Sequence, residues 1–232
     1  MKVAIIADIH ANEPALQAVL KAINHHKINN ILVAGDLIGY YFSPANVVAL
    51  IQACAAYVVR GNHEEFLVGC QNNPELREAV YRKYGPGINI ALKELSLSQM
   101  DYIRILPQTL WITEFNCTIL MCHGSPSDIN EYMYPDASFE ELLSGLDSRP
   151  DVLILGHTHY PFHKYSLETL ILNPGSVGQP RNRAPGAHWA ILDTDTFNVE
   201  HKIELYDPQL ILDQCLAIAP ENSYLREVLL RQ

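Results

Sequence analysis

Five short polar groups stand out along a chain of 232 residues: Asp8 with His10, Asp36, Asn62 with His63, His123, and His157 with His159. Asp8, Asp36 and Asn62 offer oxygen donors. His10, His123, His157 and His159 offer imidazole nitrogen. A mixed oxygen and nitrogen set without thiolate suits borderline cations such as Zn²⁺, Fe²⁺ or Mn²⁺. Seven donors exceed the needs of one tetrahedral site, so the pattern predicts two adjacent ions sharing a bridging carboxylate. Five of the ten His lie in these groups. The other five, His25, His26, His163, His188 and His201, lack such surroundings and read as structural. Among those, His163 and His188 are the pair whose distance from the site matters.

Chemistry of this kind needs rigid elements to aim it. Val3–Ala7, Ile31–Ala34 and Tyr57–Val59 are short apolar runs, read as buried strands, and each ends at one of the polar groups. Helices opening at Pro14 and near Pro44 separate them. That alternation implies βαβ units and a largely parallel sheet, whose strand ends are where ligands bind. Residues 64–109 break the rhythm. Pro74–Tyr84, Ile88–Leu95 and a helix capped by Ser98 read as a helical cap over one edge of the active face. Leu110–Glu114 with Cys117–Met121, Phe162–Ser166 with Thr169–Leu172, and Trp189–Leu192 with Phe197–Ile203 read as hairpins. Phe139–Gly145 reads as a helix and Asp151–Leu155 as a buried strand. Helices over 208–217 and 223–230 close the chain. The simplest organisation is one domain over 1–232, with a helical insertion at about 64–109 and C-terminal helices at about 208–232.

Composition narrows the classes. The formal net charge of −10 and the lack of a basic run argue against a stable nucleic-acid complex. Five Cys at irregular spacing form neither a disulfide framework nor a Cys-rich zinc site, which points to a reducing compartment. No signal-peptide pattern or membrane-length apolar run occurs, so the expected location is cytoplasmic, with no membrane partner. A dinucleotide-binding protein would carry G-x-G-x-x-G after the first strand, where this chain has Ala7-Asp8-Ile9-His10-Ala11-Asn12.

Taken in order, Asp8-Ile9-His10, Gly35-Asp36, Gly61-Asn62-His63-Glu64, Cys122-His123-Gly124 and Gly156-His157-Thr158-His159 resemble the signature of the calcineurin-like metallophosphoesterase superfamily. The resemblance runs from residue 1 to about residue 193. The stretch 35–44 and the run Asn173-Pro174-Gly175-Ser176-Val177-Gly178 resemble its small bacterial and archaeal phosphodiesterase-like branch. Tyr40-Tyr41-Phe42 is bulkier than the corresponding turn of that branch, and His188 stands where a small or hydroxyl residue is expected. The resemblance implies an α/β fold, a four-layer αββα sandwich of two mixed sheets. It also implies a ligand set. One ion falls to Asp8, His10 and His159, the other to Asn62, His123 and His157, with Asp36 bridging both. His63 binds no metal and faces the scissile phosphate.

The expected activity is dinuclear metal-dependent hydrolysis of a phosphate ester, above all a phosphodiester. A metal-bridging hydroxide attacks in line, Asp36 holds the ions, and His63 acts as general acid. The physiological metals, Mn, Fe or Zn, are left open. Arg60 or Glu64 could orient His63. Asn12, Arg181 and Arg183 are candidate substrate contacts, and Tyr40 and Tyr41 could stack on a base. The expected partner is a small phosphate ester or nucleotide. Phosphomonoesters, nucleotide pyrophosphates and phosphoproteins fit the same chemistry, and an inactive metal-binding scaffold is the non-enzyme alternative. The oligomeric state is left open.

Overall fold

The computed structural model describes residues 1–166 and 168–231. Two five-stranded sheets run through it. In the first, β1 (Lys2–Ile6), β2 (Ile31–Val33) and β3 (Tyr57–Val58) are parallel. The antiparallel pair β9 (Ala187–Asp193) and β10 (Val199–Glu204) extends it beyond β1. In the second, β5 (Ile119–Cys122), β6 (Val152–Ile154) and β8 (Leu170–Asn173) are parallel. Antiparallel strands β4 (Thr109–Ile112) and β7 (Phe162–Tyr165) form its two edges.

β1 shows why the layers stack. It is apolar on both faces, as a strand covered on both sides must be. Val3 and Ile5 turn inward and join Ile119, Met121, Val152, Ile154 and Leu172 of the second sheet. Ala4 and Ile6 turn outward to Leu16, Val19 and Ile23 of α1 (Glu13–His25) and to Val47, Val48 and Ile51 of α2 (Pro44–Ala53). The outer face of the second sheet, including Leu153 and Ile171, is covered by Met133 and by Leu142 of α7 (Phe139–Leu142). The result is the expected αββα sandwich.

Several boundaries differ from the sequence reading. A helix, α3 (Asn62–Cys70), begins within the Gly61-Asn62-His63-Glu64 group, where only a strand end was expected. Its start lacks a Ser, Thr or Pro, and Gly61 stands at the cap position. After α4 (Pro74–Tyr84) and α5 (Gly87–Glu94), α6 (Leu97–Ile105) is capped by Ser96 and not by Ser98. Ser96 and Gln99 form a reciprocal capping box. The expected helix 139–145 stops at Leu142.

The segment 64–109 is a helical extension that also borders the active face. Leu67, Val80, Ile88, Ala91, Met100 and Ile103 join the same apolar cluster as α1 and α2, so these helices extend the outer layer. This segment reaches the rim of the polar site through Lys83 and Tyr84 of α4, and Phe66 and Tyr84 pack on the His63 ring. The terminal helices α8 (Gln209–Ile218) and α9 (Tyr224–Leu230) pack on their own chain, placing Ile211, Cys215, Leu225 and Val228 against Tyr40, Tyr41 and Phe42. Among the described residues, no helix is long and apolar enough to cross a membrane.

Candidate metal centre

The ends of β1, β2 and β3 in one sheet meet the ends of β5 and β6 in the other. Asp8, Asp36, Asn62, His123, His157 and His159 come from those five ends and are all buried. The loop after β1 is laced to the loop after β2: Asp8 N–H donates to Gly35 O, and Ile9 and His10 both donate to Asp36 O. Asp8, His10, Asp36, His157 and His159 all adopt left-handed backbone, with φ between 52° and 66°. For residues with a Cβ this costs about 1–3 kcal/mol each and persists only where surroundings enforce it. Five such residues in one cluster mark a site built for aim at the expense of stability.

The ligand atoms fall into overlapping groups. Those of Asp8, His10 and His159 lie within 4.8 Å of one another, as do those of Asp36, His123 and His157. Asn62 Oδ1 sits 3.0 Å from His123 Nε2, within the second group. Asp36 joins the two, with Oδ2 3.3 Å from His123 Nε2 and 3.8 Å from His10 Nε2. A third group, His10, Asp36 and His63, brings His63 closer to the cluster than a residue kept apart from the ions would need.

The imidazoles show what the cluster is built to hold. One ring nitrogen of each His faces a backbone carbonyl, which can only accept, so that nitrogen carries the proton. His10 Nδ1 donates to Ile38 O at 3.2 Å, and His123 Nδ1 donates to Ala34 O at 2.7 Å. His157 Nε2 donates to Asn130 O at 3.1 Å, and His159 Nδ1 donates to Gln179 O at 2.5 Å. His123 Nε2, 3.3 Å from Asp36 Oδ2, carries a proton that a metal would displace and faces His157 Nδ1 at 3.2 Å, whereas His10 Nε2 and His159 Nε2 are left with lone pairs that face each other at 3.1 Å. Two lone pairs at that distance repel unless a cation lies between them. Outer hydrogen bonds from imidazole to carbonyl are the usual way to fix a metal-binding tautomer. Two clusters of Asp and His are thus positioned to bind metal ions, and the donors fit a dinuclear site.

Electrostatics agree. Burial depresses the basicity of His10 and His159 well below the usual imidazole range and takes His157 to about 3. Neutral imidazole is the form that binds metal. At His123, burial is outweighed by Asp36 and Asp8, which raise it to about 9. Burial pushes Asp8 up to about 8. At Asp36, burial is overcome by His123, His63 and His10, which hold its carboxyl well below the usual range. His123 and Asp36 therefore face each other as the charged pair, the pair that a metal would separate.

His63 packs beside this cluster, its ring centroid 4.8 Å from those of His10 and Tyr40 and 5.0 Å from that of Tyr84. Burial lowers its basicity to about 4. Its Nδ1 is buried with no hydrogen-bond partner among the described residues. That nitrogen lies against Gly39, where an added Cβ would overlap the ring. Nε2 points the other way, 4.0 Å from Asp36 Oδ2.

Most of the other candidate residues have partners within the fold. Neither Arg60 nor Glu64 orients His63. Arg60 binds Leu106 O, Arg104 O and Glu65. Glu64 accepts from the N–H groups of Asp36, Ile38 and Gly61. Asn12 Oδ1 caps α1 by accepting from Ala15 N, and its Nδ2 donates to Gly178 O and Tyr206 Oη. Arg183 is exposed and lines no cavity at the cluster, whereas Arg181 lines it and donates to Tyr40 Oη and Gln179 Oε1. Tyr41 is fully buried and donates to Leu225 O, so it cannot stack on a base. His163 pairs with His201, and His188 Nε2 donates to Ala184 O, so both stand apart from the cluster.

Sequence reading missed the braces. Asn173 Nδ2 donates to Gly156 O and Thr158 Oγ1, and Ser176 Oγ donates to Asp8 O. Their Asn-Pro-Gly-Ser run was visible as a turn, but its targets were not. Tyr132, whose ring centroid lies 4.1 Å from that of His157, carried no local signal.

The sequence profile of the calcineurin-like phosphoesterase superfamily domain matches residues 1–197. The chain belongs to this superfamily. Among superfamily proteins, an uncharacterized protein of Methanocaldococcus jannaschii is 30% identical over 216 residues, 85% of each chain. The crystal structure of a metallophosphoesterase from Sphaerobacter thermophilus aligns with a TM-score of 0.81 and 27% identity, over 100% of this chain and 98% of that one. Phosphodiesterase YfcE of Escherichia coli is 24% identical over 221 residues, 91% of this chain and 96% of that protein.

Proposed function

We propose that this calcineurin-like phosphoesterase hydrolyses small phosphodiesters at two divalent ions, drawn from Mn, Fe or Zn. The observation that carries the reading is the pair of Asp and His clusters joined at Asp36. Asp8, His10 and His159 would hold one ion and Asn62, His123 and His157 the other, with Asp36 shared. Bound there, such ions neutralise the phosphate and lower the pKa of a coordinated water.

The chain's own groups supply the rest. Arg181, at the rim, offers a guanidinium to a non-bridging oxygen. His63 Nε2 faces the cluster and would deliver the proton to the leaving oxygen. Its imidazole is neutral in the free protein, and a bound phosphate's negative charge favours the imidazolium that the transfer needs. Tyr40, Tyr84 and Tyr132 wall the site against bulk water. The space directly over the cluster is only about 10 Å³. Similarity to the phosphodiesterase YfcE supports the choice of diesters.

The test is hydrolysis of bis-p-nitrophenyl phosphate by Mn²⁺-loaded protein against an EDTA-treated sample, with metal counted by plasma mass spectrometry. Two ions per chain and EDTA-sensitive turnover are expected. Asp36→Ala should lose both ions and nearly all turnover; two ions retained in that variant would refute the shared ligand. His63→Ala should keep its metal, with a rate lower by roughly 10²- to 10⁴-fold on alkyl esters and by less on aryl esters.

A further inference from the structure

Beside the cluster lies a second cavity of about 340 Å³. It shares Tyr40, Tyr84, Tyr132 and Arg181 with the space over the metal ligands, so the two are continuous. Lys83, Asn222 and Tyr224 complete its wall, and the last two come from the C-terminal segment that no metal-ligand motif reaches. Four of its seven lining residues are Tyr and two are cations. None is acidic, although the whole chain carries a formal charge of −10. Lys83 Nζ lies 4.9 Å from the Tyr84 ring centroid, and the Arg231 guanidinium lies 5.1 Å from that of Tyr224. Lys83 and Arg181 thus line this cavity, with Arg231 against its Tyr224.

Each feature restricts the occupant. The volume is at the lower end for small-molecule sites and too small for a folded partner. Tyr rings favour a flat aromatic group, which stacks on them. Lys83 and Arg181 favour an anion beyond the one over the metals. Asn222 offers both a donor and an acceptor to a polar ring edge. We infer that this cavity binds the nucleoside part of a nucleotide substrate, with its base among Tyr84, Tyr132 and Tyr224 and a further phosphate at Lys83 and Arg181. The inference rests on the metal cluster being the hydrolytic centre, and it assigns the adjoining specificity site to the C-terminal helix.

The test compares binding of two probes to Mn²⁺-loaded protein by isothermal titration calorimetry. Adenosine 5′-(α,β-methylene)diphosphate has a P–C–P bridge that cannot be hydrolysed, and methylenediphosphonate carries the same anion without the nucleoside; chromatography after the titration confirms that the 5′ ester is intact. The nucleotide is expected to bind at least about tenfold more tightly, the scale of one base stacked on aromatic side chains. Tyr224→Ala and, separately, Tyr132→Ala should bring the two affinities together, and Lys83→Ala should weaken both. Equal affinities in the unmodified protein would overturn the inference, as would an undiminished preference in both Tyr variants. Hydrolysis of bis-p-nitrophenyl phosphate, measured alongside, separates the two readings. Turnover without nucleoside preference leaves the hydrolase and removes the pocket. Nucleoside preference without turnover does the reverse.

Discussion

Glu64→Gln tests how the centre is held together. Glu64 is fully buried, and Oε2 accepts from Asp36 N at 2.9 Å and Gly61 N at 2.8 Å, while Oε1 accepts from Ile38 N at 3.2 Å. One carboxylate therefore ties the loop carrying Asp36 to the turn carrying Asn62. A glutamine keeps one acceptor oxygen and places an NH₂ where the other stood. With its oxygen on the two-donor side, the bond to Ile38 N is lost and two donors confront each other. A bond to a charged acceptor contributes about 1.5–3 kcal/mol, and a stranded buried donor costs a similar amount. The expected destabilisation is about 3–6 kcal/mol, a large share of a stability of about 5–15 kcal/mol. Because Asp36 shifts with its loop, metal affinity should fall by about 10- to 100-fold, the usual effect of losing an outer partner. Urea unfolding of the EDTA-treated protein reads the first quantity, and metal titration followed by plasma mass spectrometry reads the second. A variant within about 0.5 kcal/mol of the parent, with unchanged metal affinity, would refute the bracing role.

Gly61→Ala should also cost metal, because a Cβ at Gly61 would overlap the Asp36 carboxylate; metal content and a melting curve check it. Tyr41→Phe strands the carbonyl of Leu225 and should cost about 1 kcal/mol, a fall in Tm of about 2–4 °C by calorimetry, with metal content unchanged. His201 is depressed from 6.5 to about 4 by burial and by neighbouring His163 and His188. The unfolded chain therefore binds a proton that the folded one refuses, and stability falls as pH drops through that window. His201→Asn should flatten the decline in urea midpoint of the metal-free protein between about pH 7 and about pH 5.

The sequence alone determined which runs form the parallel strands and which polar groups follow them. Short apolar runs such as Ile31–Val33 are local signals, and the Gly, Asp, Asn and His that follow are read without knowing the fold. That sufficed for the layered α/β architecture and for seven donors converging on one edge. Signals shared between near neighbours misled where two choices were adjacent, as with Ser96 and Ser98, since both hydroxyls precede helical spacing. Tertiary structure alone decided how each polar group is used. Asn12 looks free in sequence, yet Gly178 and Tyr206 saturate it. Tyr40 and Tyr41 are neighbours, yet one meets His10 while the other is bound to Leu225. Tyr224 reaches the rim of the cavity from the far end of the chain. The physical reason is range: helix periodicity and caps act over a few residues, whereas the partner of a buried donor or ring is chosen by packing between segments that no local pattern connects.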